Sequence, residues 1–287
     1  MITAVEERQA GTEAYAPAVR IANKGKRLKK LKGYAPPVLL FLFILALWQS
    51  SNKLFGIEPY LLPVPTRIAQ AMVDNFSSLM QASYMTFIAS MGGFALSIVV
   101  GVLVAILMAQ SKVVERSIYP YAVVLQTVPV VSIAPIIIVW MGPGLNSILL
   151  ISFIVSVFPI ITNTLTGLLS TEHNLVNLMT LYRASWWQKL WRLRIPFATP
   201  YILTGMKISS GAAVIGTIVG EYQAGIGGSD GGLGYVITVA ATQLRMDYLF
   251  AAAIVSCVMG FIVFILVNMI SSLILRNWHE SSVEMEN

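Results

Sequence analysis

The chain has 287 residues, 56% of them hydrophobic and only 11% charged, with a formal net charge of +6 and a mean hydropathy of +0.75. Soluble domains carry about 25% charged residues, so this composition leaves too little polar surface for an aqueous fold of that length. One cysteine (Cys257) and two histidines (His173 and His279) exclude an internal disulfide framework and a four-thiolate metal site, and leave little for His-based chemistry.

Residues 1–35 form a hydrophilic, basic tail without the apolar stretch of a signal peptide. Its run Lys24-Gly25-Lys26-Arg27-Leu28-Lys29-Lys30-Leu31-Lys32 reads as a topology and anionic-lipid anchor. Nucleic-acid binding is the alternative, but no aromatics interleave the charges and a membrane helix follows. A helix needs about 20 apolar residues to cross roughly 30 Å of hydrocarbon. Six stretches between 36 and 275 meet that description: Pro36–Trp48 extended by Gln49 and Ser50, Tyr84–Ala109, Tyr119–Trp140, Ile148–Leu169, Tyr201–Val219 and Tyr248–Leu275. The third is interrupted by Pro129 and Pro135, and the fourth contains Pro159. Continuous apolar runs rule out a β-barrel, whose strands alternate. The predicted fold class is all-α, a polytopic membrane protein with six transmembrane helices.

Basic residues orient it. Fifteen of the nineteen Lys and Arg fall in 1–35, 110–118, 170–200 and the tail 276–287. The positive-inside rule then places both termini and the loop 170–200 in the cytoplasm.

Catalytic motifs are missing. The stretch Gly225–Gly234 fails G-x-G-x-x-G at Asp230 and follows a membrane helix, so it reads as a flexible or re-entrant external loop. No P-loop occurs, since Gly25-Lys26 is followed by Arg27; no H-E-x-x-H, C-x-x-C or G-x-S-x-G is present. Buried charges cost roughly 2.5–3.5 kcal/mol each at mid-helix, and the spans hold almost none. Glu221, at the outer end of the fifth, is the nearest candidate for a proton relay. That weakens the alternative of a self-sufficient ion-coupled carrier or channel, and leaves the energy source to a partner.

The loop 170–200 is more than a connector. Leu175, Leu178, Met179, Tyr182, Trp186, Leu190 and Leu193 recur at helical spacing, with Arg183, Lys189, Arg192 and Arg194 supplying cationic surface. Ala184-Ser185 predicts a break into two short helices. Trp186, Trp187 and Trp191 suit either a helix lying in the headgroups or one docking in a partner's groove.

Here the residues resemble a family. Tyr182-Arg183-Ala184-Ser185, then Leu193-Arg194-Ile195-Pro196 and Gly205-Met206-Lys207 are similar to the coupling loop of binding-protein-dependent ABC importer permeases, E-A-A, three residues, Gly, nine residues, I-x-L-P. Aligned on Pro196, Asn177-Leu178-Met179 stands at E-A-A and Arg183 at the family glycine. Leu62-Pro63-Val64-Pro65-Thr66 resembles the external L-P-x-P segment, and Gly232-Leu233-Gly234-Tyr235 the G-L-G-Y block before the last span, as in the nitrate/sulfonate/taurine branch.

The resemblance implies two permease subunits, as a homodimer or heterodimer, around one path, with an external solute-binding protein and cytoplasmic ATPase subunits that hold ATP and Mg. This chain itself would bind no cofactor. Coupling would rest on Leu178, Met179, Tyr182, Arg183, Ala184, Ser185, Trp186, Trp187, Lys189 and Arg192. The solute would be a small anion (sulfonate, taurine, nitrate or bicarbonate) or an aromatic vitamin precursor. A path needs polar groups and prolines on apolar helices. Candidates are Gln126, Thr127 and Ser132 around Pro129, Ser152, Ser156 and Asn163 around Pro159, and Thr217 with Glu221. Interhelical hydrogen bonding is the alternative role for each.

Overall fold

The structure, a computed structural model, describes residues 36–56, 58, 60–225 and 231–276; the basic tail, residues 57 and 59, most of the Gly-rich stretch and the segment 277–287 lie outside the described residues. Every regular element described is helical. The chain divides into two compact units, 1–67 and 68–287.

In the first unit, α1 spans Pro36–Phe55, five residues beyond the predicted end. Trp48 Nε1 donates to Pro63 O at 3.1 Å. Gln49 grips Thr66 twice, its Nε2 donating to Oγ1 at 3.0 Å and its Oε1 accepting from the backbone N–H at 3.3 Å. These bonds fold the Leu-Pro-Val-Pro segment back on α1 and set the start of α2 (Pro65–Asp74), where Pro65 has an N-terminal position that needs no N–H.

In the second unit, three long helices carry the core: α3 (Phe76–Met108), α6 (Leu145–Leu169) and α9 (Ile195–Ala224). α6 packs along both of the others. Helices in lipid gain nothing from hiding apolar surface, so close approach and buried hydrogen bonds must hold them. Both are present. A Cβ on Gly216 would lie 3.0 Å from Ser152 Cα and 3.2 Å from Val155 Cβ, so α9 rests directly on the α6 backbone. Ser152 Oγ donates to Ala213 O at 3.0 Å, Ser209 Oγ to Ser156 O at 2.6 Å, and Ser97 Oγ to Phe153 O at 3.1 Å. The last helix, α11 (Met246–Arg276), packs on α9 and α3. Val99, Leu103 and Phe261 stay more than half exposed, as a surface facing lipid requires.

Three differences from the sequence reading have identifiable causes. The third span is an elbow: α4 (Lys112–Thr127) and α5 (Val130–Met141) meet at 99°. Pro129 pushes Val128 into an extended conformation (ψ 125°), which no helix continues. Among the described residues, five helices are therefore long and apolar enough to cross a bilayer, or six spans with the elbow counted as one. Second, the fifth span begins well before Tyr201. A short helix, Trp186–Lys189, runs through one π turn (Leu190–Arg194) into α9. The widened π turn just ahead of Pro196 removes the clash that a proline ring makes with the preceding turn, so the helix persists. Third, a helix, Leu233–Thr242, starts at the end of the Gly-rich stretch, between the fifth and sixth predicted spans.

Counting in chain order, α7 is His173–Leu181, α8 is Trp186–Lys189 and α10 is Leu233–Thr242.

Candidate functional site

The expected docking segment is built from α7, a tight turn and α8. α7 ends in a Schellman arrangement: Ala184 N–H donates to Met179 O at 2.9 Å and Arg183 N–H to Thr180 O at 2.9 Å. Its left-handed residue is Arg183, at φ 53°. The position that the resemblance assigns to glycine thus keeps the glycine conformation while bearing a side chain. Ser185 then starts α8 with a capping box, its Oγ accepting from Gln188 N–H at 3.3 Å while Gln188 Oε1 accepts from Ser185 N–H at 2.7 Å. Lys189 Nζ donates to Thr180 Oγ1 at 2.9 Å, tying the two helices across the break. A left-handed non-glycine residue costs about 1 kcal/mol. Arg183→Gly is therefore expected to stabilise the chain by about 0.5–1 kcal/mol, read as a higher unfolding midpoint in detergent.

The ten predicted coupling residues do not share one environment. Leu178, Tyr182, Arg183, Ser185, Trp187 and Arg192 are exposed, with Tyr182 81% and Trp187 61% accessible. Trp191, outside that set, is 62% exposed. Trp186 instead packs, half-buried, against a core cluster that includes Met108, Leu165, Leu168 and Leu190. Leu190 is 1% exposed, and Arg194 Nη1 donates to Ala109 O, the C-cap of α3, at 3.2 Å. A cation there also suits the negative end of the α3 dipole. The segment from Trp186 to Arg194 is thus anchored on one face, while Trp187, Trp191 and Arg192 are exposed, the Trp187 ring resting edge-on against Trp186 with centroids 5.0 Å apart. Met179, Ala184 and Lys189, all half-buried, complete the predicted set.

The solute-path candidates separate into two groups. Gln126, Thr127 and Ser132 come together, exposed, at the α4–α5 elbow. Gln126 lines a cleft of about 200 Å³ with Leu125, Val130, Ile133, Ile137 and Ile154. Ser152, Ser156 and Thr217 are fully buried between helices. Ser152 and Ser156 donate to backbone carbonyls, whereas Thr217 Oγ1 has no hydrogen-bond partner among the described residues. Asn163 is half-buried, its Nδ2 donating to Pro159 O at 2.8 Å. Sequence spacing places all of these on spans but says nothing of which face each occupies.

Glu221 is 4% exposed and belongs to a joint that the sequence reading did not assemble. Its Oε2 accepts from Thr86 Oγ1 at 2.9 Å and from Gly234 N–H at 2.9 Å, while Leu233 N–H donates to Thr86 Oγ1 at 2.8 Å. The carboxylate of α9 and the hydroxyl of α3 thus satisfy two of the open N–H groups at the start of α10. This explains Gly-Leu-Gly: a Cβ on Gly232 would collide with the Glu221 carboxylate, and one on Gly234 with Ile218 O, with Glu221 Cβ at 2.8 Å and Tyr222 N at 2.9 Å. The available signal was an acid alone near the end of a span, thirteen residues before a glycine.

Known proteins resemble this chain in sequence and in fold. Residues 97–276 match the family described as binding-protein-dependent transport system inner membrane component. The chain is 35% identical over 240 residues to the formylaminopyrimidine transport permease protein of Halalkalibacterium halodurans, covering 83% of this chain and 94% of that one. It is 29% identical over 247 residues to a Bacillus subtilis permease named for aliphatic sulfonate transport, covering 85% and 87%. Its fold is similar to a chain of the MetNI methionine ABC transporter in an inward-facing conformation, with a TM-score of 0.55 and 16% identity over 70% of this chain and 97% of that one.

Proposed function

This chain belongs to the family of binding-protein-dependent transport system inner membrane components, and we propose that, as an ABC importer permease subunit, it passes a small heteroaromatic solute between itself and a second permease subunit. An external binding protein delivers the solute at the end where Glu221 lies, and both termini face the cytoplasm, following the basic-residue asymmetry. Cytoplasmic ATPase subunits, carrying ATP and Mg, dock on the exposed face of α7–α8. Energy then comes from the partner, and this chain supplies geometry: a path and a surface through which the partner moves it.

The observation that carries the docking assignment is the exposed Trp187–Trp191 face on a segment whose other side is anchored by Leu190 and Arg194. That segment holds four cations and one acid, Glu172, between 170 and 200, so a groove with acidic rims suits it. The solute class rests on the elbow. The cleft beside Gln126 has aliphatic walls, no Lys or Arg among its lining residues, and about 200 Å³ of space. A dry apolar cavity of about 150 Å³ already takes benzene. A sulfonate or nitrate would lose its hydration there without a cation in return. The aminopyrimidine in the name of one relative is a solute of the favoured kind.

The test is to purify the chain with its neighbours in mild detergent and titrate the co-purifying external protein by calorimetry with an aminopyrimidine, riboflavin, taurine and nitrate. An ATPase in the complex and heat only with a heteroaromatic solute are expected. Binding of taurine or nitrate alone would overturn the solute class. ATP-independent uptake by this chain alone in proteoliposomes, abolished by collapsing an ion gradient, would replace the importer reading by that of a secondary carrier.

A further inference from the structure

We propose that Glu221 is the positioning residue that fastens α10 to α9, so that α8, the π turn, α9 and α10 move as one lever between the ATPase-docking surface and the opposite mouth of the path. The proposal rests on the permease reading above. Residues Trp186–Ala224 form one uninterrupted helical rod of 39 residues. At 1.5 Å per residue that is about 58 Å, nearly twice the roughly 30 Å of a hydrocarbon core. The same element therefore carries Trp187 and Trp191 at one end and Glu221 near the other.

Each end of the rod is tied to α3. At the Trp end, Leu190 is sunk in the core beside Met108 and Arg194 holds Ala109 O, which makes the C-terminus of α3 the fulcrum. At the far end, Thr86 of α3 meets both Glu221 and Leu233. α10 is otherwise a ten-residue helix, too short to be stable by itself. Glu221 supplies what keeps its first turn seated, and the absence of a side chain at Gly232 and Gly234 lets it sit against the α9 backbone. A displacement of α8 about its fulcrum then reaches α10 as a displacement, because the junction between them has no slack.

Both bonds to Glu221 end on the same oxygen, Oε2. An amide oxygen can accept both, so Glu221→Gln is expected to preserve the joint and Glu221→Ala to break it. The experiment is hydrogen–deuterium exchange on the full permease–ATPase complex in lipid nanodiscs, with and without ATP, Mg and vanadate as the only added ligands. In the natural protein, peptides over 186–194 and over 233–242 should both change on trapping. In Glu221→Ala, exchange over 233–242 should rise at least tenfold and lose its nucleotide response, while 186–194 still responds; Glu221→Gln should behave as the natural protein.

A staple that merely holds α10 would raise exchange but leave the response intact, and that result overturns the lever. So does a natural protein in which 186–194 responds and 233–242 does not, or a Glu221→Gln variant as impaired as Glu221→Ala. Should Glu221→Ala fail to accumulate, Thr86→Val removes one of the two bonds to Glu221 together with the Leu233 N–H bond, and is read in the same way. Failure of the permease reading looks different: no ATPase accompanies the natural chain, and neither segment responds.

Discussion

Gly234→Ala is expected to be among the most damaging single-methyl changes in the chain. The new Cβ would press into Ile218 O, with Glu221 Cβ at 2.8 Å and Tyr222 N at 2.9 Å. Two of these three atoms are backbone in the last two turns of α9, held by the α6 contact on the other side, so neither can rotate away. Overpacking in a filled core costs typically about 1–3 kcal/mol and more where backbone must shift. Here relief requires α10 to lift, which also removes the Gly234 N–H bond to Glu221 and leaves a buried carboxylate short of a donor. A loss of at least about 3 kcal/mol follows, visible as a fall in the unfolding midpoint followed by tryptophan fluorescence in detergent. Gly211→Ala is the control: nothing lies within 4 Å of its added methyl, and alanine is the better helix former. A midpoint unchanged in Gly234→Ala would mean that α10 does not pack on α9 as described.

The contrast between these glycines shows where sequence reading stops. Apolar runs located the long helices because a span is a local property. The predicted Ile148–Leu169 and Tyr248–Leu275 lie within three residues of the ends of α6 and α11. Where a helix leaves the hydrocarbon its composition turns polar, and the run no longer marks it. α3 therefore begins eight residues before the predicted Tyr84, in Phe76-Ser77-Ser78. Prolines were ambiguous for the same reason. Pro129 breaks a span, Pro159 does not, and Pro196 is accommodated by a π turn; all three outcomes depend on the turn before the ring.

The candidate site was legible in its chemistry more than in its facing. Helical spacing in 175–193 and the break at Ala184-Ser185 could be read from residue types, since capping and periodicity are local. Which tryptophan is anchored and which is free could not, because Trp186 and Trp187 differ only in what lies across from them. Among the path candidates, Ser152 and Gln126 look alike as polar residues near a proline, yet one donates to Ala213 O inside the bundle and the other lines an open cleft. The Glu221 joint draws on residues 135 and 13 positions away, a relation that no single-sequence pattern contains.

Trp187→Ala with Trp191→Ala is expected to abolish ATPase retention while leaving the permease folded. The two rings lie one turn apart, are 61% and 62% exposed, and are flanked by Leu181 and Tyr182, each 81% exposed. Truncating the two tryptophans costs the permease only the edge-to-face contact of Trp187 on Trp186, centroids 5.0 Å apart, worth about 0.5–1.5 kcal/mol, so the unfolding midpoint in detergent should fall only slightly. In a docked complex the same rings would be desolvated at the centre of the contact. Tryptophans in that setting are worth about 2 kcal/mol or more each. Their joint loss should weaken association at least about a hundredfold, enough to lose the ATPase during purification. Leu190→Ala supplies the opposite pattern. That side chain is 1% exposed in the core cluster, and its truncation should cost about 2–5 kcal/mol of stability. If the rings served instead to lie among lipid headgroups, the double variant would keep its ATPase at full stoichiometry, and the docking assignment would fall with it.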